Sequence, residues 1–270
     1  MQVAFQGERG AFSEDASIKL FGRDIDLLPC VRLRDVFEGV SENKVAFGVV
    51  PVENSQAGSI NETYDLLLIY SLNIFAEVIL KISHSLMALP GEDLTRIRTI
   101  YSHPQALAQC EEFLSQLRAE IVPTYDTAGS AKMIAERQLK GCAAIASKEA
   151  ANIYALEILA PEIETNVNNY TRFLAISKRK AEPAKKNKTS LVFAAKHVPG
   201  ALYRVLGIFA TRNINLTKLE SRPSRDRPWE YVFYTDFEGH LDSEIYQEAM
   251  TELQEQATFV KILGSYPKAE

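Results

Sequence analysis

Asn169-Tyr170-Thr171-Arg172-Phe173 sets a hydroxyl beside a guanidinium at the head of an apolar run, Phe173-Leu174-Ala175-Ile176. A threonine hydroxyl is too weak an acid to be a free proton source near neutral pH, so its chemistry is that of a positioned hydrogen-bond donor or relay. The guanidinium carries a fixed fork of donors that grips a carboxylate at two points. The pairing suits an anionic substrate whose leaving group needs a hydrogen bond. Side chains alternate along a strand, so Thr171 and Arg172 are expected on opposite faces, which ranks Arg172 below Thr171. Phe173 reads as a core residue, with an aromatic wall around a substrate ring as the alternative.

Val50-Pro51-Val52-Glu53-Asn54-Ser55 ends an apolar run in an amide that donates to a carboxylate while accepting from a hydroxyl, although an asparagine after a strand is more often a turn residue. Glu53 is the tempting general acid, but its charge would repel an anion unless its pKa were raised, so it reads as structural. Ser102-His103-Pro104-Gln105-Ala106 has the spacing of a capping box, with Ser102 as the cap and proline in the first turn, and it places Gln105 and Gln109 on one helical face. His103 is a general base by type, weighed against a surface or packing role. The Gly7 to Ser13 loop is either a tight strand-to-helix connection or a carboxylate-binding loop through Gly10 and Ala11, and it lacks the lysine and hydroxyl of a phosphate loop. Thr127 opens another helix and is a candidate for the same cleft.

The elements that must position these groups alternate short apolar runs with helical patterns, the mark of an α/β architecture. Strands are expected at residues 3–5, 45–50, 74–82, 99–101, 121–125, 143–146 and 172–176, with helices between most of them and N-caps at Asp126 and Ser147. In open α/β sheets ligands settle where strands end and helices begin, because free N–H groups and the positive dipole end point there. From Lys178 to Lys188 the chain turns charged and nearly free of large apolar groups, which reads as a linker. Beyond it, strands at 190–195, 214–220, 230–237 and 259–266 and helices at 199–209 and 242–256 give the order βαββαβ of a ferredoxin-like fold.

With 270 residues, two units are the natural prior. A net charge of −5 gives no field that would attract nucleic acid or an anionic membrane, so a small-molecule partner is expected. No export signal or membrane-spanning run is visible, and the chain reads as cytoplasmic. Three cysteines and four histidines at wide spacings match neither a disulfide framework nor a metal site.

Taken in order, the Val50 to Ser55, Ser102 to Ala106 and Thr171 to Phe173 segments resemble the prephenate dehydratase family. Gly200-Ala201-Leu202 and Leu219-Glu220-Ser221-Arg222-Pro223-Ser224 are similar to an ACT domain of the phenylalanine-sensing type. The resemblance covers essentially the whole chain. It implies a catalytic domain over 1–178 built as two α/β lobes, periplasmic-binding-protein-like, then a charged linker over 179–188 and an ACT regulatory domain over 189–270. Residues Ile79 to His84 and Ser147 to Ala160 are the expected crossings between lobes, and the start at Met1-Gln2-Val3 implies a monofunctional member. The implied activity is that of a lyase of phenylalanine biosynthesis, converting prephenate to phenylpyruvate with loss of carbon dioxide and the ring hydroxyl, without a cofactor. Thr171, Asn54, Ser102 and Gln109 would be catalytic, and Arg172, Ser55, Phe173, Gly10, Ala11 and Thr127 would bind substrate. L-Phenylalanine would inhibit by binding at Gly200, Ala201, Leu202, Asn213, Leu216, Glu220, Ser221, Arg222 and Pro223, between ACT domains paired in a homodimer or homotetramer. Arogenate dehydratase shares these motifs and is the near alternative; a non-catalytic aromatic amino acid sensor is the alternative from another class.

Overall fold

The computed structural model of the protein describes residues 1–224 and 230–269. The chain opens with β1 (Gln2–Gln6), α1 (Phe12–Phe21), β2 (Asp26–Cys30), α2 (Leu33–Ser41), β3 (Phe47–Asn54), β4 (Gly58–Ser59), α3 (Asn61–Ile69) and β5 (Asn73–Lys81). It continues through β6 (Ser85–Ala88), β7 (Thr99–Ser102), α4 (Pro104–Gln109), α5 (Glu111–Ser115), β8 (Glu120–Pro123), α6 (Thr127–Arg137), β9 (Cys142–Ala146), α7 (Lys148–Ile153) and β10 (Glu157–Ala160). It then returns as β11 (Tyr170–Ser177).

These strands make two sheets, and each sheet is the spine of one lobe. The first runs β2-β1-β3-β11-β5 with β4 attached to β3, and the second runs β10-β6-β9-β7-β8. The chain therefore crosses between sheets twice, at residues 82–84 and 161–169. The first crossing falls at the end of the expected Ile79 to His84 span. The second does not fall at Ser147 to Ala160, because α7 and β10 belong to the second lobe, β10 being paired with β6.

Local patterning explains the elements. α2 turns Leu33, Val36, Phe37 and Val40 to the interior at helical spacing. β9 reads as an unbroken apolar run because it lies in the middle of its sheet, with Ala143, Ala144, Ile145 and Ala146 all fully buried. α6 and α7 are capped as expected: the Asp126 carboxylate accepts from the Gly129 amide at 2.6 Å, and the Ser147 hydroxyl from the Ala150 amide at 3.0 Å. α4 is capped differently from expectation. Its cap is His103, whose Nδ1 accepts from the Gln105 amide at 3.2 Å, while Ser102 is the last residue of β7 and donates to the Ile145 carbonyl at 2.6 Å.

The remaining chain forms β12 (Asn187–Ala195), α8 (Ala201–Thr211), β13 (Leu216–Pro223), β14 (Tyr231–Glu238), α9 (Glu244–Gln256) and β15 (Ala257–Pro267). This is the expected βαββαβ order. The sheet runs β13-β14-β12-β15, antiparallel throughout, over a core of Leu191, Phe193, Val205, Ile208, Phe209, Phe237 and Leu253. By density of contacts the chain divides into Met1–Thr63 with Val78–Phe173, and Tyr64–Glu77 with Leu174–Glu270. The segment Tyr64–Glu77 thus groups with the C-terminal residues rather than with the rest of 1–178. The end of the expected linker is ordered too: Asn187 and Lys188 start β12, and the buried Lys188 ammonium lies 2.8 Å from the Glu77 carboxylate.

Candidate active site

β3 and β11 are neighbours in the first sheet, so Asn54 at the end of one strand faces Thr171 near the start of the other. The Asn54 amide has two jobs. Its Oδ1 accepts from the backbone N–H of Gln56 at 3.0 Å and of Ala57 at 2.9 Å, the turn role that asparagine commonly plays after a strand. A backbone N–H can only donate, so these two bonds fix which end of the amide is oxygen. The Nδ2 end must then donate, and it does so to Asn169 Oδ1 at 2.8 Å, to Thr171 Oγ1 at 3.0 Å and to the Tyr170 carbonyl at 3.2 Å.

The same logic passes around a ring. Asn169 accepts at Oδ1, so its Nδ2 donates to Gln109 Oε1 at 3.0 Å, and Gln109 Nε2 points back to Asn54 Oδ1 at 3.4 Å. Gln109 comes from α4 of the second lobe, Asn169 from the second crossing, and Asn54 and Thr171 from the first lobe. Thr171 is buried and already receives a hydrogen bond at its oxygen, and none of the described residues takes its hydroxyl proton. That proton is therefore available to a ligand.

The cleft in front of it is lined by Ala11, Phe12 and Ser13 at the start of α1, by His103, Gln105 and Gln109 of α4, by Asp126 and Thr127 at the start of α6, and by Asn54, His84, Tyr125, Thr171 and Phe173, among others. Neither lysine nor arginine appears among the lining residues. The N-terminal turns of α1 and α6 open on the cleft instead, and backbone N–H groups at a helix start favour anions. Burial pushes the His103 imidazole down, toward its neutral form, and the Asp126 carboxyl up. Among the described residues no group of three His, Cys, Asp or Glu side chains is placed to hold a metal ion.

Of the residues singled out in the sequence, Thr171, Asn54, Gln109, Phe173, Ala11 and Thr127 are brought to this cleft. Arg172 is outside the lining, as strand alternation requires when Thr171 and Phe173 both face it. Ser102 is also outside, its hydroxyl spent on the Ile145 carbonyl. Ser55 staples the head of β11, accepting from the Tyr170 amide at 2.9 Å and donating to the Asn168 carbonyl at 3.2 Å. Gly10 serves close approach: with φ at +84° its backbone lies where an added Cβ would meet Ala150 Cα at 2.7 Å, and its carbonyl accepts from Ser147 Oγ at 2.6 Å. The sequence reading missed Asn169 and His84 as members of the site. Asn169 stood inside the quoted motif, while His84 had no signal beyond its residue type.

In the C-terminal unit the expected effector residues fall into separate places. Gly200, Ala201 and Leu202 line a pocket with Tyr231 and Phe233, and Gly200 takes a left-handed φ of 76° as the cap of α8. Leu216 lines another hollow with Phe209, Ile214 and Leu219, and Asn213, at φ 55°, makes the turn before it. Glu220, Ser221, Arg222 and Pro223 lie along the edge strand β13, where the Arg222 guanidinium is paired with Asp65 at 3.0 Å.

Two α/β lobes enclosing a cleft lined largely by neutral polar groups and helix N-termini, followed by a βαββαβ regulatory-type domain, define an enzyme that binds a small molecule. The prephenate dehydratase family model matches residues 3–181 and the ACT domain model matches residues 189–253, and the chain belongs to the prephenate dehydratase family. It is 44% identical over 278 residues to arogenate dehydratase/prephenate dehydratase 2, chloroplastic, of Arabidopsis thaliana, covering 99% of this chain and 73% of that one. Among solved structures it is similar to the prephenate dehydratase of Arthrobacter aurescens in complex with L-Phe, at 31% identity and a TM-score of 0.91 over 99% of this chain and 90% of that one. It is also similar to GqqA, described as a novel type of quorum quenching acylase, at 34% identity and a TM-score of 0.88 over 99% and 98% of the two chains.

Proposed function

We propose that this enzyme converts prephenate to phenylpyruvate, with Thr171 donating to the departing ring hydroxyl, and that L-phenylalanine inhibits it through the C-terminal domain. The observation that carries the reading is that Thr171 Oγ1 accepts from the Asn54 amide, which leaves its proton free for a ligand in a cleft whose described lining holds neither lysine nor arginine. Breaking the bond between the ring and its carboxylate releases carbon dioxide and sends an electron pair into the ring. The ring becomes aromatic as it expels the hydroxyl, which leaves as hydroxide and is neutralised to water. A donor aimed at that oxygen stabilises charge as it develops and need not be acidic. The starts of α1 and α6 suit the carboxylate that the product keeps, and Phe173 and Phe12 supply apolar walls for the ring. Withholding cationic side chains fits the chemistry, since a cation gripping the ring carboxylate would oppose its loss.

Acyl-transfer chemistry like that in the name of the second structural relative would need a base to take the hydroxyl proton. Thr171 is met instead by an amide donor, which favours dehydration. The L-Phe in the Arthrobacter structure and the ACT domain support phenylalanine as effector. The edge strands β13 and β15 with exposed Leu219, Phe259 and Ile262 support assembly through this unit. Turnover of prephenate and of arogenate by purified protein, with and without phenylalanine, tests the reading. Faster formation of phenylpyruvate, suppressed by phenylalanine, is expected; turnover of neither acid would sink it.

A further inference from the structure

His84 stands in the first crossing between the lobes and is 2% exposed. Its backbone N–H donates to Glu164 Oε2 of the second crossing at 2.9 Å, so the two crossing segments are tied together at this residue. Its ring meets Phe12 edge-on at 5.6 Å, and its Nε2 lies 2.9 Å from Gln109 Oε1. The direction of that last bond follows from the ring of amides. The backbone N–H groups of Gln56 and Ala57 orient Asn54, Asn54 orients Asn169, and Asn169 makes Gln109 Oε1 an acceptor. An acceptor facing His84 Nε2 requires a proton on that nitrogen. Nδ1 is buried and has no hydrogen-bond partner among the described residues, and burial disfavours the charged imidazolium, consistent with a neutral ring carrying its proton at Nε2.

We propose that His84 is a positioning residue for the dehydration: its Nε2–H holds the Gln109 amide, and through it Asn169, Asn54 and Thr171, in the orientation that leaves the Thr171 proton free for substrate. This rests on the reading of Thr171 as donor to the leaving hydroxyl. A reversed Gln109 amide would set its NH2 group against the donors of both His84 and Asn169. Without the imidazole the reversal is opposed only by the Asn169 donor and by the long contact to Asn54 Oδ1 at 3.4 Å, and a reversed Gln109 would pull Asn169 and then Asn54 out of register. His84 thus acts on the reacting bond through four side chains, Gln109, Asn169, Asn54 and Thr171, without touching it.

The test compares two neutral, polar replacements on whichever of prephenate and arogenate the wild-type enzyme turns over faster. In His84→Gln the amide nitrogen reaches the former Nε2 position, whereas in His84→Asn it stops near Nδ1, out of reach of Gln109. His84→Asn should lower kcat about tenfold to a hundredfold, with KM little changed, and His84→Gln should recover most of that loss. Combined with Gln109→Met, His84→Asn should add almost nothing, because the residue it acts through is gone. Wild-type kcat in His84→Asn, equal losses in the two variants, or full additivity with Gln109→Met would each overturn the proposal. If His84→Asn does not fold, the nitrogen-15 spectrum of the wild-type enzyme decides: a neutral His84 protonated at Nε2 upholds the proposal, and a proton at Nδ1 overturns it. Failure of the wild-type enzyme on both acids would instead defeat the dehydratase reading itself.

Discussion

The cleft and the C-terminal unit use polar groups in opposite ways. Around Thr171 the bonding members are amides, a hydroxyl and a neutral imidazole. In the C-terminal unit, charged groups fasten Tyr64–Glu77 to the ACT strands: Lys188 pairs with Glu77, Arg222 with Asp65, and the Lys261 ammonium donates to the carbonyls of Leu67, Leu68 and Tyr70, each at 2.8 Å. A buried charge demands a counter-charge or a full set of acceptors, and once provided it makes one packing much better than its neighbours. Neutral amides carry direction with little field. They can aim a donor at a dianion without competing for its carboxylates.

The largest effect should come from breaking a charged lock. Lys188→Met removes the ammonium that pairs with the buried Glu77 carboxylate, and unfolding in denaturant should show a loss of about 3–5 kcal/mol, most of it restored in the double variant with Glu77→Met. Recovery in neither would mean that the pair is not what binds these segments. Thr171→Val keeps the shape of a strand residue and should cost about a hundredfold to a thousandfold in kcat with the circular dichroism spectrum unchanged. Comparable kcat in that variant would remove the neutral-donor side of the comparison.

A smaller effect is expected at Asp15 on α1. Burial, reinforced by Glu149 and Glu14, pushes its carboxyl up to about 6. The folded protein therefore keeps this proton at pH values where the unfolded chain has already released it, so stability falls as pH rises from about 4 to 6. Asp15→Asn should stabilise by about 1–2 kcal/mol above pH 6, allowing for solvent screening of a partly buried side chain, and the gain should vanish below pH 4. Thermal melts across that range would show a constant difference if the assignment were wrong. The smallest effect belongs to Asp126, where Asn caps α6 equally well but removes a carboxyl from the cleft proposed to bind an anion. Asp126→Asn should lower KM about twofold to tenfold, and a raised KM would mean that the carboxyl itself contacts substrate.

How far the sequence carried this reading depended on whether a residue's role was local. The convergence of Thr171, Asn54 and Gln109 was legible because each sits at one end of a strand or a helix, and the βαββαβ order was legible because its strands are long and its helices strongly patterned. Ser102 misled because a serine before His-Pro looks like a cap, yet it follows Ile100 at strand spacing and shares its burial. β2 and β10 escaped notice because both are short edge strands, and one contains a proline that a central strand would exclude. β6 has no β-branched residue to mark it. His84 and the Lys188–Glu77 pair owe their roles to residues 25 and 111 positions away, which no local pattern encodes.

The amide ring takes Asn54 and Thr171 from one lobe and Gln109 from the other, with spacings between 2.8 and 3.4 Å. Hydrogen bonds fade within a few tenths of an ångström beyond such lengths. The ring therefore works as a caliper on the gap between the sheets. With Thr171 as the proposed donor, a small parting of the lobes undoes the bonds that orient it, and a molecule acting on lobe separation is expected to slow the enzyme without entering the cleft.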